Sequence, residues 1–307
     1  MGSLMVSRHK SITIERRQLI WGLIFVSPAI LGFLIFTLAP MVSSLILSLT
    51  NYRVVSRSTH FVGLDNYKRF FDGRDFFIKK SLLVTLYYAL LSVPLSMLCA
   101  FLLATMLNRD IKGKAFFRAI YYLPSIVPVV ATSLIWTWLL DPDLGLFNTI
   151  LRQFNLPTSR FIYAEKTVIP SLSLMSVWTC GGTMVIFLAG LQGISRTLYE
   201  AVEVDGGNAW HKFWKITVPM MTPTIFYNLV MGVIGGLQIF TQSFIMTQGG
   251  PNNGSLFIVY YLYRKAFQDQ EMGQACAVAW VVFIIIMLIT LLIFRSSQRW
   301  VYYEGDN

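Results

Sequence analysis

A chain of 307 residues that is 55% hydrophobic and 13% charged, with a mean hydropathy of +0.59, has about half the charge density of soluble domains, where roughly 25% of residues are charged. That excludes an ordinary water-soluble domain and points to a membrane protein. The net charge of +10 does not call for nucleic acid, because Lys and Arg beside membrane spans set topology.

Met1–Leu4 reads as an extension ahead of a natural start at Met5, and 1–17 as a polar tail. Six windows then lack Asp, Glu, Lys and Arg: Gln18–Tyr52, Ser81–Asn108, Ala119–Leu140, Thr167–Ser195, Ile216–Tyr263 and Met272–Phe294. Each exceeds the roughly 20 residues that cross a bilayer core, and helices satisfy the backbone of such runs. The predicted fold is all-α and polytopic, with spans at about 19–50, 82–108, 119–140, 168–192, 222–247 and 273–294 in a membrane domain 18–295, and a tail 296–307. The first window is too long for a cleavable signal core of about 7–15 residues and reads as an uncleaved anchor. Arg8, Lys10, Arg16 and Arg17 precede it. Arg109, Lys112, Lys114 and Arg118 follow the second span, Arg196, Lys212 and Lys215 the fourth, and Arg295 and Arg299 the last. This places those loops and both termini inside, against the seven basic residues of the Arg53–Lys80 loop, which the same topology puts outside.

The spans contain no His, Asp or Glu. A proton relay is therefore not expected, nor is an intramembrane hydrolase or transferase. The phosphate cradle GxxxxGK[ST] is missing: Gly113-Lys114 is followed by Ala115, so the chain does not hydrolyse ATP by that route. Cys99, Cys180 and Cys276 lie in apolar windows without ligand spacing, and His9, His60 and His211 are far apart; neither set suggests a metal site. Tyr52, Tyr67, Trp210, Trp214, Tyr263, Trp300 and Tyr302 suit an aromatic belt.

Between the fourth and fifth spans lies YEAVEVDGGNAWHKFWKITVPMMTP, Tyr199–Pro223. Thr197 and Glu200 have capping-box spacing, which predicts a helix start near Leu198. Gly206 and Gly207 after Asp205 stop that helix. A second short helix is predicted over about Ala209–Ile216, with Pro219 and Pro223 marking the start of the fifth span. The expected result is a helix–turn–helix on the membrane surface exposing Glu200, Glu203, Asp205, His211 and Lys212. Its residues either dock a partner, or Glu200 only caps and Gly206 only terminates.

Transporter sites lie near the midplane, at interrupted helices. In the fourth span, Gly181 and Gly182 weaken the helix and bare its backbone, Trp178 could stack on a ring-shaped ligand, and Thr179 and Thr183 could bond hydroxyls. In the fifth, Gln238 and Gln242 are four apart, on one helical face, beside Phe240 and Ser243. The alternative is helix packing, for which Gly232 and Gly236 form a GxxxG.

The pattern Glu200-Ala201-Val202, Gly206, Ile216-Thr217-Val218-Pro219 resembles the EAA loop of permease subunits in binding-protein-dependent ABC importers, departing at Val202, where Ala is more usual. FVGLDNY at Phe61–Tyr67, YYLPSIVPVVATSLIWTWLLDPDLGLFN within Phe117–Leu151, TQGGPNN at Thr247–Asn253 and the Tyr260–Phe267 segment are similar to the sugar-type branch, in particular to the first permease subunit of maltose and glycerol-phosphate systems. The resemblance implies a type I importer permease in the cell (inner) membrane, with 196–219 as a cytoplasmic coupling loop whose Glu200, Ala201, Asp205, Gly206, Ile216 and Pro219 meet an ATPase. It implies a second permease subunit, two ATP-binding subunits that hold ATP and Mg, an external solute-binding protein and a carbohydrate substrate. This chain is then expected to be non-catalytic and to hold no cofactor. Loops Phe61–Lys79, Asp141–Lys166 and Thr247–Glu271 would receive the binding protein. The rival reading is a self-contained secondary carrier or facilitator.

Overall fold

In hydrocarbon the backbone must close its own hydrogen bonds, and the apolar windows accordingly form helices. The computed structural model describes residues 9–55, 58–70, 72–73 and 75–302; the expected extension Met1–Leu4 lies outside them. Among the described residues four helices are long and apolar enough to cross a membrane: α1 (Arg16–Ser48), α2 (Phe76–Asn108), α8 (Ala209–Leu237) and α9 (Met272–Ser297). Between α2 and α8 come two bent pairs, α3 (Lys114–Ile126) with α4 (Val129–Leu139), and α5 (Glu165–Trp178) with α6 (Gly181–Gly193). A short α7 (Arg196–Val204) precedes α8. Among the described residues the only β pairing is an isolated bridge, Thr50 with Phe61.

The third and fourth windows are each interrupted, where continuous spans were expected. The first pair bends by 98°. Val127 and Pro128 there are extended, since the proline ring pushes the residue before it out of helical conformation. The second pair bends by 49° at Thr179 and Cys180. Gly181 follows at once, and a Cβ on it would lie 2.2 Å from the Tyr121 carbonyl oxygen of α3. The bend and the missing side chain together let two backbones meet.

The loops sort into two ends. At one, Lys80 bonds Glu165 (3.1 Å) and the Asn252 carbonyl, Arg53 pairs with Glu271, and Tyr261 donates to Asp75. Hydrogen bonds from Lys80 and then Asn252 hold the Glu165 carboxyl below its usual range. This tie is in force at neutral pH and is lost as pH falls through that lowered value. At the other end, Arg109 shares a cavity with Lys212, and the Tyr302 N–H bonds Thr222 Oγ1 (2.9 Å). Counting each bent pair as one crossing gives six among the described residues.

Helix α2 is the hub, packed on α5, α6 and α8. Lipid is as apolar as Leu, so close packing of small residues rather than water exclusion holds such helices. Ala100 and Ala104 are fully buried, and the Gly232–Gly236 stripe of α8 sits against Val93 and Ala89 of α2 at 3.0–3.4 Å from ideal Cβ positions. The most apolar stretch of α1 is not buried by this chain at all; only its later part meets α9. Cys180 is buried and Cys99 and Cys276 are half-buried, all as free thiols.

Overpacking a core by one methyl typically costs about 1–3 kcal/mol, and here the obstacle is backbone. Gly181→Ala is expected to lower the thermal unfolding midpoint of the purified protein. Gly182→Ala, with nothing within 4 Å of its new methyl, is expected to leave that midpoint in place.

Candidate functional site

Helix α7 starts two residues earlier than the capping-box spacing suggests. Ser195 is the N-cap: it is extended (φ −62°, ψ 135°), and its Oγ accepts from the Thr197 N–H (3.3 Å). Thr197 is thus already helical, and Glu200 caps nothing. Glu200 is exposed, and its carboxylate makes no hydrogen bond or ion pair with any described residue. One face of α7, Leu198 and Tyr199, packs onto the cluster of Ala104, Phe187 and Met221, which Ile216 also joins. The opposite face presents Glu200, Ala201, Glu203 and Val204.

The helix ends in a Schellman turn. Gly206 has φ +77°, its N–H bonds the Glu203 carbonyl (3.0 Å), and the Gly207 N–H reaches back to Val202 (2.8 Å). Asp205 is exposed at the C-cap. Asn208 then caps α8, accepting from the His211 N–H (3.0 Å). Glu203 pairs with Lys212 across the turn, and the Tyr199 hydroxyl lies 3.0 Å from Thr217 Oγ1. Of the residues expected on this surface, Glu200, Glu203, Asp205 and His211 are exposed and Lys212 is half-buried. Val204 went unremarked in the sequence, yet it is 88% exposed.

The segment after the turn differs from the reading of a separate surface helix. It is the beginning of α8, which runs from Ala209 through Pro219 and Pro223 to Leu237. Pro219 has no N–H for the preceding turn. One wide π turn just before it, Phe213–Thr217, closed by the Val218 N–H on the Phe213 carbonyl, lets the helix pass. Ile216 and Pro219 are both half-buried within it.

Near the middle of the bundle two chambers adjoin. One, of about 270 Å³, is lined by Tyr88, Ser125, Thr132, Ser176, Thr179 and Gln242 among others. The other, of about 350 Å³, includes Tyr88, Ser92, Ser96, Ser176, Gln238 and Gln242. Tyr88, Ser176 and Gln242 belong to both. Among the described residues neither lining includes Asp, Glu, Lys, Arg or His. Thr132 Oγ1 is buried without a hydrogen-bond partner. All three interruptions border this cleft: Val127, Thr179, and the gap after α8 at Gln238–Phe240.

Of the sequence-predicted residues, Thr179, Gln238 and Gln242 line the cleft. The two glutamines do so although no single helical face carries them, because α8 ends at Leu237, short of the expected 247, and a new turn starts at Thr241. Trp178 instead meets Trp136 edge-to-face (6.0 Å), and neither it nor Thr183 lines a chamber. Gly232 and Gly236 both pack on α2 and edge the second chamber. Among the cleft residues sequence reasoning missed are three hydroxyls of α2, Tyr88, Ser92 and Ser96. Together with the buried Ser81 and Thr85, which line neither chamber, they recur at steps of three and four, the spacing of one helical face.

This arrangement, a helical bundle with broken spans around a charge-free cleft and an ordered glycine elbow at one end, defines a membrane transport component. Residues 78–302 match the family model of the binding-protein-dependent transport system inner membrane component, and the chain belongs to that family. It is 41% identical to the probable ABC transporter permease protein YesP of Bacillus subtilis (strain 168), over 99% of this chain and 98% of that one. It is 30% identical to the multiple sugar-binding transport system permease protein MsmF of Streptococcus mutans serotype c, over 91% and 96%. A chain of a solved bacterial ABC transporter involved in the import of the acidic polysaccharide alginate is similar in fold, with a TM-score of 0.79 and 25% identity over 94% of this chain and 97% of that one. Membership of this family sets aside the self-contained carrier.

The left-handed conformation of Gly206 costs a residue with a Cβ about 1–2 kcal/mol. In Gly206→Ala, hydrogen exchange at the Gly206–Gly207 amides, followed by mass spectrometry, is expected to run about fivefold faster or more, with the amides of α2 unaffected.

Proposed function

We propose that this chain forms one half of the translocation pathway of an ATP-driven importer, and that its substrate is a sugar or oligosaccharide delivered by an extracytoplasmic solute-binding protein. The observation that carries the reading is the elbow. Its inner face is fixed by Leu198, Tyr199 and Ile216, its turn is closed by two hydrogen bonds, and Glu200 stands free on the outer face. A rigid, outward-facing, partly apolar surface of that kind suits a docking partner. In this reading Glu200, Ala201, Asp205 and Gly206 meet a cytoplasmic ATPase, while Ile216 and Pro219 set the elbow on α8. ATP and Mg belong to two ATP-binding subunits, and this chain is not itself catalytic.

The remaining assignments follow from the same reading. Both termini and the elbow face the cytoplasm, and the loops tied through Lys80, Glu165 and Asn252 face the binding protein. A second permease subunit completes the pathway. The cleft favours a neutral, hydroxyl-rich ligand, because hydroxyls and amides line it and charges do not. MsmF, whose name refers to sugar binding, adds support for the substrate class. Thr179, Gln238 and Gln242 are the sugar-facing candidates; Trp178 and Thr183 would act from outside the chambers.

Gly206→Pro tests the coupling role. Proline holds φ near −65° and has no N–H, so it can keep neither the +77° conformation nor the bond to Glu203. Uptake of the sugar carried by the cognate binding protein is expected to disappear while the subunit remains in the membrane; uptake at the wild-type rate would end the proposal. Gln242→Leu tests the cleft. Losing a partner for a buried hydroxyl costs about 1–3 kcal/mol, so uptake at limiting sugar is expected to drop by about tenfold. An unchanged rate would move the pathway elsewhere.

A further inference from the structure

At the elbow end, outside the cleft, lies a separate cavity of about 290 Å³. Thr105, Asn108 and Arg109 at the end of α2 face Tyr199 of α7 and Lys212 and Thr217 of α8 across it. Arg109 is exposed, and its guanidinium makes no ion pair or hydrogen bond with any described residue. The Asn108 side-chain amide is equally without a partner among the described residues. Lys212 is paired with Glu203, but that carboxylate does not line the cavity. Lys114 stands alongside, its Nζ 3.4 Å from the Asn108 carbonyl. The connection Arg109–Arg118 adds Lys112 and Arg118, against the one carboxylate of Asp110.

The depth of this cavity is marked by aromatic residues. Phe213, on its wall, packs edge-to-face on Trp214 (5.3 Å) and stacks on Trp210 (6.4 Å). Those tryptophans are 51% and 67% exposed. Exposed Trp at the end of a membrane helix sits at headgroup level, which is where lipid phosphates lie. An unpaired guanidinium at that depth, with a free amide beside it, matches the planar, multiply hydrogen-bonded recognition of phosphate that Arg favours.

We propose that this cavity binds the phosphate of an anionic phospholipid headgroup, with Arg109 as the principal contact and Asn108 and Lys212 as further donors. A phosphate there ties the end of α2 to the beginning of α8. The site is distinct from the sugar path and stands whether or not an ATPase docks on the elbow.

The test uses the assembled transporter in nanodiscs of equal parts phosphatidylglycerol and phosphatidylcholine, with retained lipid counted by native mass spectrometry. The wild type is expected to retain phosphatidylglycerol. Arg109→Gln is expected to retain about fivefold less, the ratio given by about 1 kcal/mol per cation near an anionic surface. Arg109→Lys restores most of the retention, and Asn108→Ala, which keeps the charge, lowers it less than Arg109→Gln. Equal phosphatidylglycerol retention in the wild type and Arg109→Gln overturns the site. A second arm separates the sources of phosphate. Should inorganic phosphate raise the thermal midpoint of the wild type but not of Arg109→Gln, with no phosphatidylglycerol retained, the lipid assignment is overturned. Co-purification of the ATP-binding subunits is scored in the same samples; their loss with phosphatidylglycerol still retained would count against the coupling proposal and leave this one standing.

Discussion

A peptide group left open to hydrocarbon costs several kcal/mol, and that penalty decides where this chain can interrupt its helices. The breaks at Val127–Pro128, at Thr179–Cys180 and after Leu237 are not scattered. All three border the same polar cleft, and at one of them the Thr179 hydroxyl bonds the Ser176 carbonyl (3.2 Å). Elsewhere the helices run on even where proline opposes them. Pro94 lies inside α2, and Pro219 and Pro223 inside α8. The cleft is therefore less a hole between helices than the place where irregular backbone is tolerated.

The same penalty accounts for how much of the fold could be read in advance. Windows without charge have one stable solution in lipid, so six crossings and their alternation of ends followed from composition alone. The bends were less legible. Pro124 and Pro128 are visible in the sequence, but whether a proline kinks, ends or merely sits in a helix depends on what packs beside it. At Pro219 a π turn absorbs the lost hydrogen bond, and the Thr217 hydroxyl at the end of that turn meets Tyr199 of α7. That contact spans eighteen residues and is invisible to local pattern, so the start of α8 read as a separate surface helix.

The site shows a similar division. Gly206 was readable because an Asp-Gly-Gly after a helical pattern has few uses other than a left-handed stop, and the observed φ is +77°. The part played by Glu200 in its helix was not readable, since Thr197 and Ser195 both offer a capping oxygen. Only the extended conformation of Ser195 decides between them. The α2 hydroxyls were overlooked for a physical reason. In an apolar helix, Ser and Thr bond their own backbone, as Ser81 does to Ile78 and Thr85 to Ser81, so each one alone carries little signal. Their common face becomes informative only when the stripe is taken as a whole.

One consequence joins the two ends of the molecule. Helix α8 has 29 residues from Ala209 to Leu237, which at about 1.5 Å each makes a rod of about 43 Å. It begins at the elbow, where Glu203–Lys212 and Tyr199–Thr217 bind it to α7. It ends at Gln238, on the wall of the cleft. In the proposed coupling reading, a displacement of the elbow would reach the cleft through this single continuous helix, whose Gly232–Gly236 stripe lies against Val93 and Ala89 of α2. Small-residue interfaces of this kind have few interdigitated side chains to unlock. The features that make the stripe look like simple packing are also those that such a motion would use, so the packing reading of the glycines and the proposed coupling are compatible.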